Sequence, residues 1–199
     1  PICDTATLEA AIVIASDSPP AVAAMRPSLS LRRNHHRPRP ARIRFARAYP
    51  DRVQKLLLAA PIGLEDYRNF VPPVDTETIV TAEDRLTPEG YRNQLVTNYS
   101  LTLPPDQITP FIEARMKIKG AADYPRWLRA FVNTYHMLYR EPVVYDYPLL
   151  QAETLFVMGA NDHNAPGRPY APEPLRAKMG ENAKLAREIA AKMPNGKAV

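Results

Sequence analysis

The sequence predicts an α/β fold in which a parallel sheet carries a helical cap insertion. Two short, largely apolar runs, residues 53–60 and 154–158, have the composition of buried parallel strands. Segments with apolar residues at helical spacing flank these runs. About eighty residues separate the two runs, far more than a simple crossover between neighbouring strands requires.

The first unit is a helix followed by a strand. Residues 41–49 place Ile43 and Ala46 at helical spacing, and Pro50 ends that pattern. The run at residues 53–60 follows at once, so a tight turn joins the predicted helix to the predicted strand.

The second unit lies near the end of the chain. A strand at residues 154–158 precedes a helix at residues 181–193, and residues 197–199 begin a third strand. We therefore expect residues 41–64 and 146–199 to form an incomplete core covered by helices on both faces.

Three proline-marked helix starts, at Pro88, Pro110 and Pro125, divide the intervening segment. We expect residues 65–145 to form a helical cap over the carboxyl ends of the strands, where open α/β folds bind ligands.

Aromatic residues concentrate on the third predicted cap helix. Because one face of a cap helix lies toward the pocket, Trp127 and Tyr135 are predicted to line a substrate pocket. His136 lies among the same aromatic residues, and we interpret it as a structural or pocket residue rather than a catalytic one.

Residues 1–40 show no sustained period. Residues 11–15 (AIVIA) could form a short strand. The segment that follows is rich in proline and arginine, and its prolines exclude both a helix and a central strand. We expect a disordered basic arm, so the strand at residues 53–60 would present an unpaired edge open to self-association. The abrupt change near residue 41 is also what a shift of reading frame would produce.

The positive charge is local. Eight of the 26 Lys and Arg residues are arginines between residues 21 and 50, which hold no acidic residue, leaving 18 basic against 21 acidic residues elsewhere. Such an arm could contact nucleic acid or an anionic surface through phosphates. The arginines have no aromatic residue among them before Phe45, which argues against nucleic acid as the partner.

Other classes of protein are excluded by composition. The single cysteine, Cys3, permits neither an intrachain disulfide nor a Cys/His zinc site. The apolar runs are far shorter than the roughly 20 residues of a membrane-spanning helix, so no membrane partner is expected.

Residues 44–68, RFARAYPDRVQKLLLAAPIGLEDYR, resemble the part of the α/β-fold hydrolases that runs from the helix after the nucleophile into the sixth strand. In that family the phrase Phe-Ala-x-x-Tyr-Pro-(Asp/Glu)-Arg-Val is often followed by an apolar strand and a Pro-x-Gly turn. Residues 154–167, TLFVMGANDHNAPG, are similar to the seventh strand with its Gly-x-x-Asp ending. The likeness extends from about residue 42 to residue 199.

The resemblance implies that Asp162 is the acid of a catalytic triad, where a carboxylate at a strand end orients an imidazole. Alternatively, Asp162 only caps its own turn, as Asx residues commonly do. Asp66, or its neighbour Glu65, is a second candidate acid. His163 is adjacent to Asp162 and is expected to be an exposed turn residue.

The sequence departs from the family at the nucleophile. The Gly-x-Ser-x-Gly elbow should fall on residues 34–38, which here are Asn-His-His-Arg-Pro, and the strained turn of an elbow has no room for His36 or Pro38. The sequence stops at Val199, before the loop that carries the family's catalytic histidine. Of the triad, only the acid is expected here.

The resemblance implies a cofactor-independent serine hydrolase acting on an ester or related small apolar molecule. Dehalogenases and epoxide hydrolases share the architecture and differ mainly at the nucleophile, so the reaction stays open. We expect this chain to be inactive alone, and the alternative is a non-catalytic fragment or binding module with an arginine-rich arm.

Overall fold

The computed structural model describes residues 10–14, 40–99 and 103–199. The greater part of the predicted basic arm, including residues 34–38 and Cys3, therefore lies outside the described residues. Four strands form one sheet in the order β1 (Ala10–Ile14), β2 (Lys55–Ala59), β3 (Glu153–Val157), β4 (Gly196–Ala198). Seven α-helices occur in the described ranges: α1 (Pro40–Ala48), α2 (Thr76–Asp84), α3 (Pro88–Tyr99), α4 (Pro105–Lys119), α5 (Tyr124–Arg140), α6 (Glu173–Arg176) and α7 (Asn182–Ala191).

The two strands predicted from the apolar runs and the third strand predicted at residues 197–199 are parallel, which confirms the α/β fold. Leu56 lies opposite Thr154 and Leu58 opposite Phe156 in the β2–β3 pair. Strand β4 pairs with β3 in the same direction, and the amide of Val199 continues the ladder by donating to the carbonyl oxygen of Phe156 (2.9 Å).

The prediction of an unpaired edge at β2 is wrong. Strand β1 pairs with β2 in antiparallel register from Ala10 opposite Ala59 to Ile14 opposite Lys55. The run AAIVI contains β-branched residues, which favour strands. Its pairing with β2 gives the backbone N–H and C=O groups on that side of β2 hydrogen-bond partners. The predicted disordered arm, residues 1–40, therefore includes five residues, 10–14, that belong to the sheet.

The core lies on one face of the sheet. Leu56, Leu58 and Phe156 are at most 2% exposed and form a cluster with residues of both α1 and α7. On the opposite face Leu57 and Leu155 are half-buried and Val157 is 39% exposed. The expected burial of both faces is therefore not found in the described sheet.

The insertion between β2 and β3 contains one more helix than the proline signals indicated. Helix α2 begins at Asp75, whose side chain accepts a hydrogen bond from the amide of Thr78 (2.9 Å). Helix α4 starts at Pro105, and Pro110 lies inside it rather than at its start. None of the helices in the described ranges is long and apolar enough to span a bilayer.

A hydrophobic cluster joins the insertion to the loops at the carboxyl ends of β2 and β3. Residues that follow β2, one residue of α5 and residues that follow β3 all take part: Tyr67, Val71, Leu138, Ala165, Ala171 and Met179. The cluster places part of the insertion beside the carboxyl ends of β2 and β3. That it serves as a cap stays a prediction.

Ion pairs attach the exit of the insertion to α1. The guanidinium groups of Arg44 and Arg47 both pair with Asp146, whose side chain is 8% exposed, and Arg44 also pairs with Glu141. Two of the eight clustered arginines therefore neutralise carboxylates of the chain itself.

Candidate active site

Asp162 lies in the turn that follows β3. Its amide donates to the carbonyl oxygen of Gly159 (3.1 Å), and its Oδ1 accepts from the amide of Asn164 (2.9 Å). This is the Asx turn that the sequence offered as the alternative to a catalytic role. The side chain is half-buried, so it also remains within reach of a bound molecule.

Asn182, the first residue of α7, holds the same carboxylate from the other side. Its side-chain amide donates to Oδ1 of Asp162 (3.0 Å) and to the carbonyl oxygen of Asn164 (2.9 Å). Oδ2 of Asp162 forms no hydrogen bond with any described residue. Among the described residues, Oδ1 therefore accepts two hydrogen bonds and Oδ2 accepts none.

His163 turns to a different partner from its neighbour. Its backbone amide donates to the carbonyl oxygen of Asn98 (2.8 Å), and its Nδ1 lies 3.1 Å from the carbonyl oxygen of Gly180. The residue is exposed and makes no hydrogen bond with Asp162 among the described residues. These two residues do not form an acid–imidazole pair.

Glu65, which the sequence offered as an alternative to Asp66 for the second candidate acid, also contacts this region. The residue is 7% exposed, and its Oε1 accepts a hydrogen bond from the amide of Gly180 (3.1 Å). Burial raises the pKa of the Glu65 carboxyl, and the Gly180 hydrogen bond and the charge of Arg168 oppose that rise only in part.

Asp66 is fully engaged elsewhere. Arg68 forms a fork to it, with Nε 2.9 Å from Oδ1 and a terminal nitrogen 2.7 Å from Oδ2, and the Tyr145 hydroxyl donates to Oδ2 (2.8 Å). The hydrogen bond from Arg68 lowers the pKa of the Asp66 carboxyl. The structure gives Asp66 an anchoring role between the start and the end of the insertion, which makes it the weaker candidate acid.

Tyr135 of α5 packs against Gly167, in the loop that follows the Asp162 turn. A Cβ atom on Gly167, whose φ is +83°, would lie 2.9 Å from the Tyr135 ring and hydroxyl, so only glycine permits this approach. The hydroxyl oxygen is buried and has no hydrogen-bond partner among the described residues, and burial raises the pKa of Tyr135 to about 12. The place of Tyr135 in a substrate pocket stays a prediction.

Trp127 lies nearer the start of the same helix, against the same hydrophobic cluster as Tyr135. Eight residues separate it from Tyr135, a rise of about 12 Å along α5. Its ring stacks with those of Tyr124 and Phe131, at 6.0 and 5.1 Å between centroids, and the Arg115 guanidinium lies 4.4 Å above it. The described contacts of Trp127 therefore belong to the interior of the insertion and not to the Asp162 turn.

His136 bonds within the insertion as well. Its Nε2 lies 3.0 Å from Oγ1 of Thr76 in α2. The described ranges hold no group of three or more His, Cys, Asp and Glu side chains that could bind a metal ion.

Sequence reasoning missed Gly180 and Asn182, because both act from the start of α7, about twenty residues beyond Asp162. A cue was present in the phrase MGEN at residues 179–182, where a glycine precedes a polar residue that opens a helix.

The chain resembles a hydrolytic enzyme of known structure. It matches the crystal structure of a probable hydrolytic enzyme from Pseudomonas aeruginosa PAO1 with a TM-score of 0.72 and 30% sequence identity. The match covers 79% of this chain and 51% of that protein, so the chain spans about half the length of the enzyme that it matches. No protein-family model matches the sequence, and no curated protein matches it. The comparison supports a hydrolase-like α/β fold.

Proposed function

We propose that this chain is part of a serine hydrolase of the α/β-hydrolase fold, in which Asp162 is the acid of the triad. The observation that carries the proposal is the Asp162 carboxylate at the end of β3, with Oδ1 anchored by Asn164 and Asn182 and Oδ2 unpaired among the described residues. Such an arrangement can accept an imidazole N–H and stabilise the imidazolium that forms during acyl transfer. Similarity to a hydrolytic enzyme supports the same reaction class.

The aromatic residues around Tyr135 in the proposed cap support a substrate class. We propose an ester of a small apolar acyl or aryl group, because the surroundings of Tyr135 are aromatic, with Tyr139 and Tyr170 at 6.2 and 6.4 Å. The Tyr135 hydroxyl would supply one directed polar contact to the substrate.

This chain by itself is proposed to be inactive. Residues 34–38 contain no Gly-x-Ser-x-Gly, and neither His163 nor His136 is hydrogen-bonded to Asp162 within the described part of the chain. A short p-nitrophenyl ester should therefore turn over no faster than in buffer. Turnover that Asp162→Asn abolishes would reveal a nucleophile within the chain and would contradict the proposed inactivity.

A hybrid tests the triad role directly. The half of the Pseudomonas enzyme that this chain does not match would be joined to residues 41–199, and ester hydrolysis would be measured. We expect Asp162→Asn to lower kcat by about 1,000-fold or more, since the analogous change in a serine protease triad costs about 10,000-fold. Asp66→Asn serves as the matched control and should retain most of the activity. A folded hybrid that hydrolyses no ester, or one indifferent to Asp162→Asn, would contradict the proposal.

A further inference from the structure

Glu65 is a buried residue near the carboxyl end of β2. Its side chain forms a hydrogen bond with a residue 115 positions later in the chain. Its Oε1 accepts from the amide of Gly180, in the loop that leads into α7. Charged groups near it are Arg168, which favours the ionised form, and Glu181, which disfavours it. A contact between such distant parts of the chain fixes the position of the α7 loop relative to β2.

Gly180 passes this restraint on to the Asp162 turn. While its amide is held by Glu65, its carbonyl oxygen lies 3.1 Å from Nδ1 of His163. Its φ is +79°, and a Cβ atom there would lie 2.5 Å from the carbonyl oxygen of His163, so the two backbones are in close contact. Two residues later, Asn182 donates to Oδ1 of Asp162.

We propose that Glu65 is a positioning residue for Asp162, acting through the segment 180–182. The inference rests on the proposed function only in giving Asp162 a catalytic role, since the positioning itself is a statement about geometry. Glu65 accepts from the Gly180 amide, and the Gly180 carbonyl oxygen bonds the His163 ring. Asn182, two residues later, donates to the Asp162 carboxylate at 3.0 Å.

Three variants of the full chain test this. Glu65→Gln keeps an acceptor oxygen at the same reach, Glu65→Asp keeps the charge but shortens the reach by one methylene, and Glu65→Leu removes the acceptor. Glu83→Gln is the matched control, because Glu83 is another partly buried glutamate whose pKa burial raises, and it pairs with Arg115 inside the insertion.

The readouts are NMR signals that report the Asp162 turn itself. They are the side-chain amide shifts of Asn182, the ring-nitrogen shifts that show which nitrogen of His163 carries the proton, and the exchange rate of the Gly180 amide. We expect Glu65→Gln and Glu83→Gln to leave all three near the wild-type values. Glu65→Asp and Glu65→Leu should shift the Asn182 and His163 signals and speed Gly180 exchange by about tenfold or more, the loss of one hydrogen bond.

Two results would overturn the inference. One is wild-type signals in Glu65→Asp, which is the variant to read if Glu65→Leu does not fold. The other is a Glu65→Gln protein that loses the signals as fully as Glu65→Asp does. These NMR measurements do not depend on activity. The positioning role of Glu65 can therefore fail while the hybrid still loses activity in Asp162→Asn. Equally, the hybrid can be indifferent to Asp162→Asn while the NMR signals support the positioning role.

Discussion

The side-chain amide of Asn182 donates to Oδ1 of Asp162 at 3.0 Å and to the carbonyl oxygen of Asn164 at 2.9 Å. The first residue of α7 is thereby joined to the turn after β3, and Asn182 is 6% exposed. A buried amide that satisfies two acceptors is worth more to stability than an exposed one.

Asn182→Ala should therefore lower the free energy of unfolding by about 2 kcal/mol, because two hydrogen bonds are lost and their half-buried acceptors are left without these donors. Asn195→Ala is the control, since exposed Asn195 donates a single hydrogen bond to the carbonyl oxygen of Gln151 (2.9 Å). That change should cost less than about 0.5 kcal/mol. Urea unfolding measures both, and equal losses would show that Asn182 has no special role.

Gly180→Ala should destabilise the protein by about 2 kcal/mol or more, because a side chain there meets the His163 carbonyl oxygen at 2.5 Å in a left-handed conformation. Gly120→Ala is the matched control. A Cβ atom on Gly120 would lie no closer than 3.7 Å to the nearest atoms, so that change should be neutral or stabilising by up to about 1 kcal/mol. Thermal unfolding of the pair is the measurement, and similar melting temperatures would contradict the assigned contact.

The ion pair between Arg115 and Glu83 in the insertion should show a large coupling energy in protein stability. The Arg115 side chain is 5% exposed and lies 2.8 Å from Glu83, and one of its terminal nitrogens is buried without a hydrogen-bond partner in the described ranges. Arg115→Met should cost about 3 kcal/mol, because it leaves the Glu83 carboxylate without its cation, and adding Glu83→Gln should recover much of that loss.

An exposed ion pair between α2 and α5 provides the control. Arg129 and Glu77 pair at 2.9 Å with side chains 60% and 66% exposed. Arg129→Ala should change the unfolding free energy by less than about 0.5 kcal/mol. A double-mutant cycle in urea gives both coupling energies, and a larger value for the exposed pair would refute the argument.

The pH dependence of stability should carry a contribution from Glu65. Burial raises its pKa above the reference value of 4.5, so the folded protein holds this proton more tightly than the unfolded chain does. Its contribution to stability is therefore complete below pH 4.5 and is lost as pH rises through the folded pKa. Asp66 contributes with the opposite sign, because its lowered pKa adds stability that is lost as pH falls below its reference value of 3.8.

Glu65→Gln isolates the Glu65 contribution. The difference in unfolding free energy between the variant and the wild type should move in favour of the variant as pH rises above 4.5. Chemical unfolding at several pH values between 4 and 8 measures it. A difference that stays constant over this range would mean that the Glu65 carboxyl titrates normally in the folded protein.

The sequence by itself determined the α/β class, the parallel pairing of β2, β3 and β4, and the placement of Asp162 at a strand end. These follow from local signals: apolar runs of strand length, helical spacing in α1, α5 and α7, and punctuation by proline and glycine. It also indicated that the segment between β2 and β3 is helical, and it missed α2 because only the Asp75 cap marks that start.

The tertiary structure alone decided the pairing of β1, the partner of His163 and the surroundings of Asp162. Strand β1 is antiparallel to β2. The direction of this pairing depends on the edge of the sheet that β1 meets and is not encoded in the sequence AAIVI. The carboxylates of Glu65 and Asp66 are neighbours in sequence, yet one accepts from Gly180 and the other from Arg68 and Tyr145. Contacts such as that of Glu65 with Gly180 join residues far apart in the chain. No local pattern encodes them, because they depend on how the loops at the ends of β2 and β3 pack against α5 and α7.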